Sequence, residues 1–220
     1  MDHVERKVCY FNYCGEINTD TLLETVKQYC IDNDVHTVVI ASETGTSAVK
    51  ALETLKETKV KIVVVTHYPA TTWGPKGNIP IGLKRKEYAA NLKKLLDNGA
   101  KVVQGTRPFA PPTRSLNWET TAEGIMDKTL ELFGAGTKIA IEAAVMATDA
   151  GEINENEEII SCAGTFKGLD TALLVKTSYS MNFFKNFEVK EIIAKPSCRV
   201  KKLPEHTYEK WKGNLDKYYK

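Results

Sequence analysis

The chain has 220 residues, 42 % hydrophobic and 26 % charged, a balance that supports a sizeable core and excludes a disordered chain. Its 30 basic and 28 acidic side chains leave a net charge of +2, so charge signals neither a nucleic-acid surface nor an anionic-membrane surface. Five cysteines at irregular spacing (Cys9, Cys14, Cys30, Cys162 and Cys198) form no Cys-x-x-Cys pair and no cluster with histidine, which argues against a disulfide framework and a metal site.

Leu22, Leu23, Val26 and Cys30 recur at spacings of three and four and predict a first helix, with Thr21 and Glu24 in a capping-box arrangement. Residues 37–41, 61–66 and 101–104 are β-branched runs without polar alternation, as in strands covered on both faces. Between and after them lie three helical stripes. Ala48, Ala51, Leu52 and Leu55 form one. Tyr88, Leu92, Leu95 and Leu96 form the next, ended by Asn98-Gly99. Ala122, Ile125, Met126, Leu130 and Phe133 form the third, opened by Thr120 with Glu123. Such alternation predicts βαβ units on a parallel sheet.

Residues 139–147 are apolar almost all round and predict a buried helix. Strand-like runs follow at 158–162, 172–177 and 189–194 with no helix between them. They predict hairpins, and hence a mixed sheet with an antiparallel edge. Two long loops, 67–82 and 105–118, leave the ends of presumed parallel strands, the edge where open α/β sheets bind ligands. Both are expected to roof one pocket.

The sharpest local signal is Ser42-Glu43-Thr44-Gly45-Thr46-Ser47, between a strand and a helix. The first turn of a helix has free N–H groups and partial positive charge, Gly45 permits close backbone approach, and Ser42, Thr44, Thr46 and Ser47 offer hydroxyls. The loop therefore suits a phosphate, although Ser and Thr also serve as plain helix caps. His67, at the end of the second strand, is the candidate general acid or base, against a purely structural hydrogen-bonding role. Trp73 with Lys76 can meet a flat ring and its charge, or can simply anchor a loop. Arg107 and Arg114 can reach a phosphate or remain solvated loop charges. Glu142 sits on an otherwise apolar helix and needs a partner; backbone or Arg is favoured over a ligand.

Residues 42–48 resemble the phosphate loop in the C-terminal domain of pyruvate kinase, where a Thr-x-Ser-Gly-x-Ser-Ala pattern follows a strand. Residues 147–153, 158–162 and 164–171 are similar to that domain's closing strand, glycine-bearing lid and final strand. The chain resembles still more a stand-alone archaeal and bacterial family related to this domain. Tyr10-Phe11-Asn12 before Gly15, Asn18-Thr19, and residues 189–193 carry that match, which spans roughly residues 7–196.

The resemblance implies a three-layer α/β/α sandwich, assigned to residues 1–198, while residues 199–220, beyond the resemblance, are expected to form a helical extension. It implies a phosphate held by Ser42, Thr44, Gly45, Thr46 and Ser47 and closed over by Gly164, Thr165, Lys167 and Gly168. It implies flavin mononucleotide (FMN) or a similar nucleotide as the cofactor, with no metal. The alternative is a regulatory or sensor domain for a phosphorylated metabolite. Glu43 stands where the kinase domain can carry a basic residue, which disfavours a sugar bisphosphate more than a monoester. Pyruvate kinase activity is not implied, because that chemistry belongs to a separate barrel domain. The reaction, if there is one, is left open.

No apolar run approaches the ~20 residues of a bilayer span, and residues 1–7 lack a leader pattern. A cytoplasmic protein with a phosphorylated small molecule as partner is expected, with no nucleic acid and no membrane; a homo-oligomer stays open. In the tail, Tyr208, Trp211, Leu215, Tyr218 and Tyr219 recur at three and four, interrupted by Gly213-Asn214. This stripe is expected to dock through Trp211, on its own body or on a second subunit.

Overall fold

The computed structural model describes residues 3–74, 77–110, 120–197 and 203–218. The chain begins with β1 (Cys9–Phe11), α1 (Thr19–Asn33), β2 (Thr37–Ala41), α2 (Thr46–Thr54) and β3 (Lys61–His67). A hairpin of β4 (Ala70–Gly74) and β5 (Gly77–Ile81) precedes α3 (Ala89–Asp97) and β6 (Lys101–Gly105). Then come α4 (Ala122–Glu131), α5 (Ala135–Asp149), β7 (Glu158–Ala163) and β8 (Thr171–Lys176). The chain closes with α6 (Phe183–Asn186), β9 (Glu188–Pro196) and α7 (Glu205–Tyr218).

Seven strands make one sheet in the order β1-β9-β8-β7-β2-β3-β6. The pairs β7/β2, β2/β3, β3/β6 and β1/β9 are parallel. Only β8 is reversed, antiparallel to β7 on one side and β9 on the other. The expected antiparallel edge is therefore two strands inside the sheet. β9 covers β8, and β1, too short at 3 residues to stand out in the sequence, pairs outside β9.

The apolar runs fill both faces. On one, Leu22, Leu23 and Val26 of α1, Ala48 and Ala51 of α2 and Leu95 of α3 pack on Val38, Ile40, Ile62, Val64 and Ile160. On the other, Ala140, Ala143, Ala144 and Ala147 of α5 pack on Val39, Val63, Ile159 and Leu173. Helices thus cover the sheet on both sides, and each fully buried Leu or Val contributes roughly 1.5–3 kcal/mol. No helix among the described residues is long and apolar enough to cross a membrane.

Helix ends depart from expectation by short distances. α1 starts at Thr19 behind a 3-10 turn, so Thr21 and Glu24 lie within it and form no cap. The cap of α4 is Thr121, whose Oγ1 accepts from the Gly124 N–H at 3.1 Å, one residue beyond Thr120. The 67–82 loop is the β4–β5 hairpin, tied down by Tyr88 Oη donating to the Pro80 carbonyl at 2.6 Å. In the 105–118 loop, Phe109 is buried and meets Phe183 edge-on, with ring centroids 5.1 Å apart; Arg114 lies outside the described residues.

Candidate phosphate-loop site

The parallel pairing of β2 and β3 runs one residue past the strand, with Ser42 N–H donating to the Val65 carbonyl at 2.9 Å. The chain then turns, and Gly45, at φ 82°, becomes the N-cap of α2. As a glycine it brings no side-chain cap to the first-turn N–H groups of α2. A β-carbon on Gly45 would lie 2.6 Å from Leu83 Cδ1 and 2.8 Å from Asn91 Cβ, and Asn91 Nδ2 donates to the Thr44 carbonyl at 2.8 Å. The positive φ and this close packing against Leu83 and Asn91 already require glycine here, whatever the loop binds.

A cavity of about 530 Å³ opens above this loop. Ser42, Thr44, Thr46, Ser47 and His67 line it on one side, and Gly164, Phe166, Lys167 and Gly168 on another. Ile79 and Pro80 of the hairpin, Tyr88, and Lys210 and Trp211 of α7 also line it, together with the carboxylates Glu16 and Glu43 and with Ala41 and Ile139. Gly45 and Thr165 do not line it. Trp73 occupies β4 opposite Asn78, and Lys76 lies outside the described residues. Of the two long loops, the hairpin contributes to this cavity, whereas Arg107 and Phe109 turn to the α5 side.

The lid at 164–168 is a fixed turn. Asp170, fully buried, accepts from Gly15 N–H at 2.7 Å, Thr165 N–H at 3.1 Å and Thr171 Oγ1 at 2.9 Å. Burial pushes its carboxyl up, and these hydrogen bonds only partly oppose that. A β-carbon on Gly164 would fall 2.1 Å from the Gly168 carbonyl oxygen, and one on Gly168 would fall 2.4 Å from Glu16 Cα. Thr165 is thus part of the lid's scaffold. Lys167 Nζ pairs with Glu16 at 2.6 Å, both half-exposed at the cavity rim.

Glu43 does not face the cavity as a bare charge. His67 Nδ1 bonds its Oε1, and Oε2 accepts from His67 N–H at 3.2 Å and Thr66 Oγ1 at 3.1 Å. Burial raises the Glu43 carboxyl, but the bonds and charge of His67, with Thr66, outweigh it and hold the pKa below the usual carboxylate range. The register accounts for the pair: Ala41 stands opposite Val65, so two residues on, Glu43 comes beside His67. What the sequence hides is that β2 and β3 are neighbours in this register.

Arg107, expected near a ligand phosphate or in solvent, is instead bound to Glu142. Its Nη1 lies 2.9 Å from Glu142 Oε2, while Phe109 N–H donates to Oε1 at 3.1 Å. Asp127, 3.6 Å from Arg107, also takes Lys138 at 2.8 Å. No family model matches the chain.

Proposed function

We propose that the chain binds a phosphate-bearing small molecule, FMN or a similar nucleotide, with the phosphate on the 42–47 loop. One observation carries this: four hydroxyl side chains at an uncapped helix start line a cavity of about 530 Å³, far larger than a phosphate alone needs. The residues present suit FMN, since Lys210 offers positive charge and Phe166 and Trp211 aromatic surface. FMN when bound supplies a redox-active ring; the chain's own part is to hold the phosphate and orient the rest. A mostly parallel sheet with helices on both faces supports reading the chain as a stand-alone relative of the pyruvate kinase C-terminal domain.

A second reading, proton transfer at the same site, is favoured by the Glu43–His67 pair. Glu43 bonds Nδ1 of His67, and His67 lines the cavity, an arrangement that suits an oriented general base.

Titration with FMN and riboflavin tests the binding. FMN should bind saturably, inorganic phosphate should compete, and riboflavin should bind at least about 10-fold more weakly. Ser47→Ala should weaken FMN several-fold. Equal affinity for FMN and riboflavin would overturn the phosphate assignment.

A further inference from the structure

The C-terminal helix forms one wall of the cavity, and it lies outside the stretch that resembles any family. Trp211 stands edge-on to Phe166 of the lid, ring centroids 6.2 Å apart at 88°, and remains partly exposed. Lys210, beside it, also lines the cavity and has no ion pair among the described residues. Lys167, the cation opposite, is already engaged by Glu16.

Among the described residues, Trp211 and the preceding Leu203 pack on Cys14 and Phe166. A second cavity of about 300 Å³, lined by Cys14, Glu16, Thr165, His206 and Thr207, runs beneath the helix. A ligand that touches both this helix and the body favours the docked helix by its contacts to both. We infer that α7 is the second half of the binding site: Trp211 and Lys210 hold the planar, apolar part of a ring-bearing phosphomonoester whose phosphate sits on the 42–47 loop, and the ligand ties the helix down.

This rests on the phosphate-loop reading, and the experiment separates the two. Full-length protein is titrated with FMN and with inorganic phosphate, and hydrogen exchange is followed over residues 205–213. Trp211→Ala should weaken FMN about 10-fold, by loss of ring stacking, and leave phosphate affinity unchanged. Trp211→Phe should recover most of the loss, which guards against misfolding as the cause. Lys210→Met should weaken FMN about three-fold at low salt and less at high salt. FMN, but not phosphate, should slow exchange in the helix. Wild-type FMN affinity in Trp211→Ala, or helix exchange indifferent to FMN, overturns the role of α7 and leaves the phosphate loop standing. A wild-type protein that binds neither probe overturns both.

Discussion

Glu43 and Glu142 line the same small cavity of about 20 Å³ between the 42–47 loop and α5, and they meet opposite fates. Glu142 has no exposed surface, and burial with nearby Asp127 pushes its carboxyl up despite Arg107, the Phe109 N–H and Lys138. Glu43 keeps about a third of its side chain exposed, and His67 and Thr66 pull its carboxyl down. One carboxylate is thus part of the packing and the other part of the site. Desolvation decides the first and hydrogen bonding the second.

The largest break in this contrast is Arg107→Ala, which strips a buried carboxylate of its partner. We expect a loss of about 3–5 kcal/mol in denaturant unfolding at pH 8, and a smaller loss at pH 5 where Glu142 can take a proton. Replacing the pair together, as Arg107→Met with Glu142→Leu, should recover much of that loss. An additive double variant would show that the pair is not the source.

Glu142→Gln sharpens the contrast with a smaller effect. A carboxyl whose folded pKa is raised contributes most below its unfolded value, ~4.3, and the contribution is lost as pH rises through the folded value. The variant should therefore compare better with wild type at pH 8 than at pH 5 in thermal melts. Glu43→Gln should cost least, under about 1 kcal/mol at pH 7. Its sign is opposite. The Glu43 contribution is full above ~4.3 and lost as pH falls through its lowered folded value, so this variant should flatten the acid limb of the stability profile. If both variants flatten the same limb, the two environments are not distinct.

Much of the sheet was legible because continuous β-branched runs survive any tertiary arrangement. Residues 37–41 became β2 without change, and 61–66 became β3 with only His67 added at its end. The hairpin of β4 and β5 was not legible: Ala70–Gly74 and Gly77–Ile81 carry glycine and Pro80, and neither joins the main sheet. Strand order was equally hidden, since β1 pairs with β9 across nearly the whole chain. At the site, the hydroxyls of the 42–47 loop were legible from type and spacing. The purpose of Gly45 was not, because its neighbours Leu83 and Asn91 come from a later segment. Glu142's need for a partner was legible from its apolar helix, while Arg107 as that partner required the fold.

The lone reversed strand has a consequence in time rather than in space. Because β8 runs back from β7, the lid connects two adjacent strands whose ends, Ala163 and Thr171, are paired. Its anchor points sit roughly 5 Å apart, and its interior is locked by Asp170 and two close-packed glycines. Such a turn has little travel. On the proposed reading, the 164–168 turn would therefore act as a fixed template for a bound ligand, and the residence time of that ligand would be set by other parts of the rim rather than by this turn.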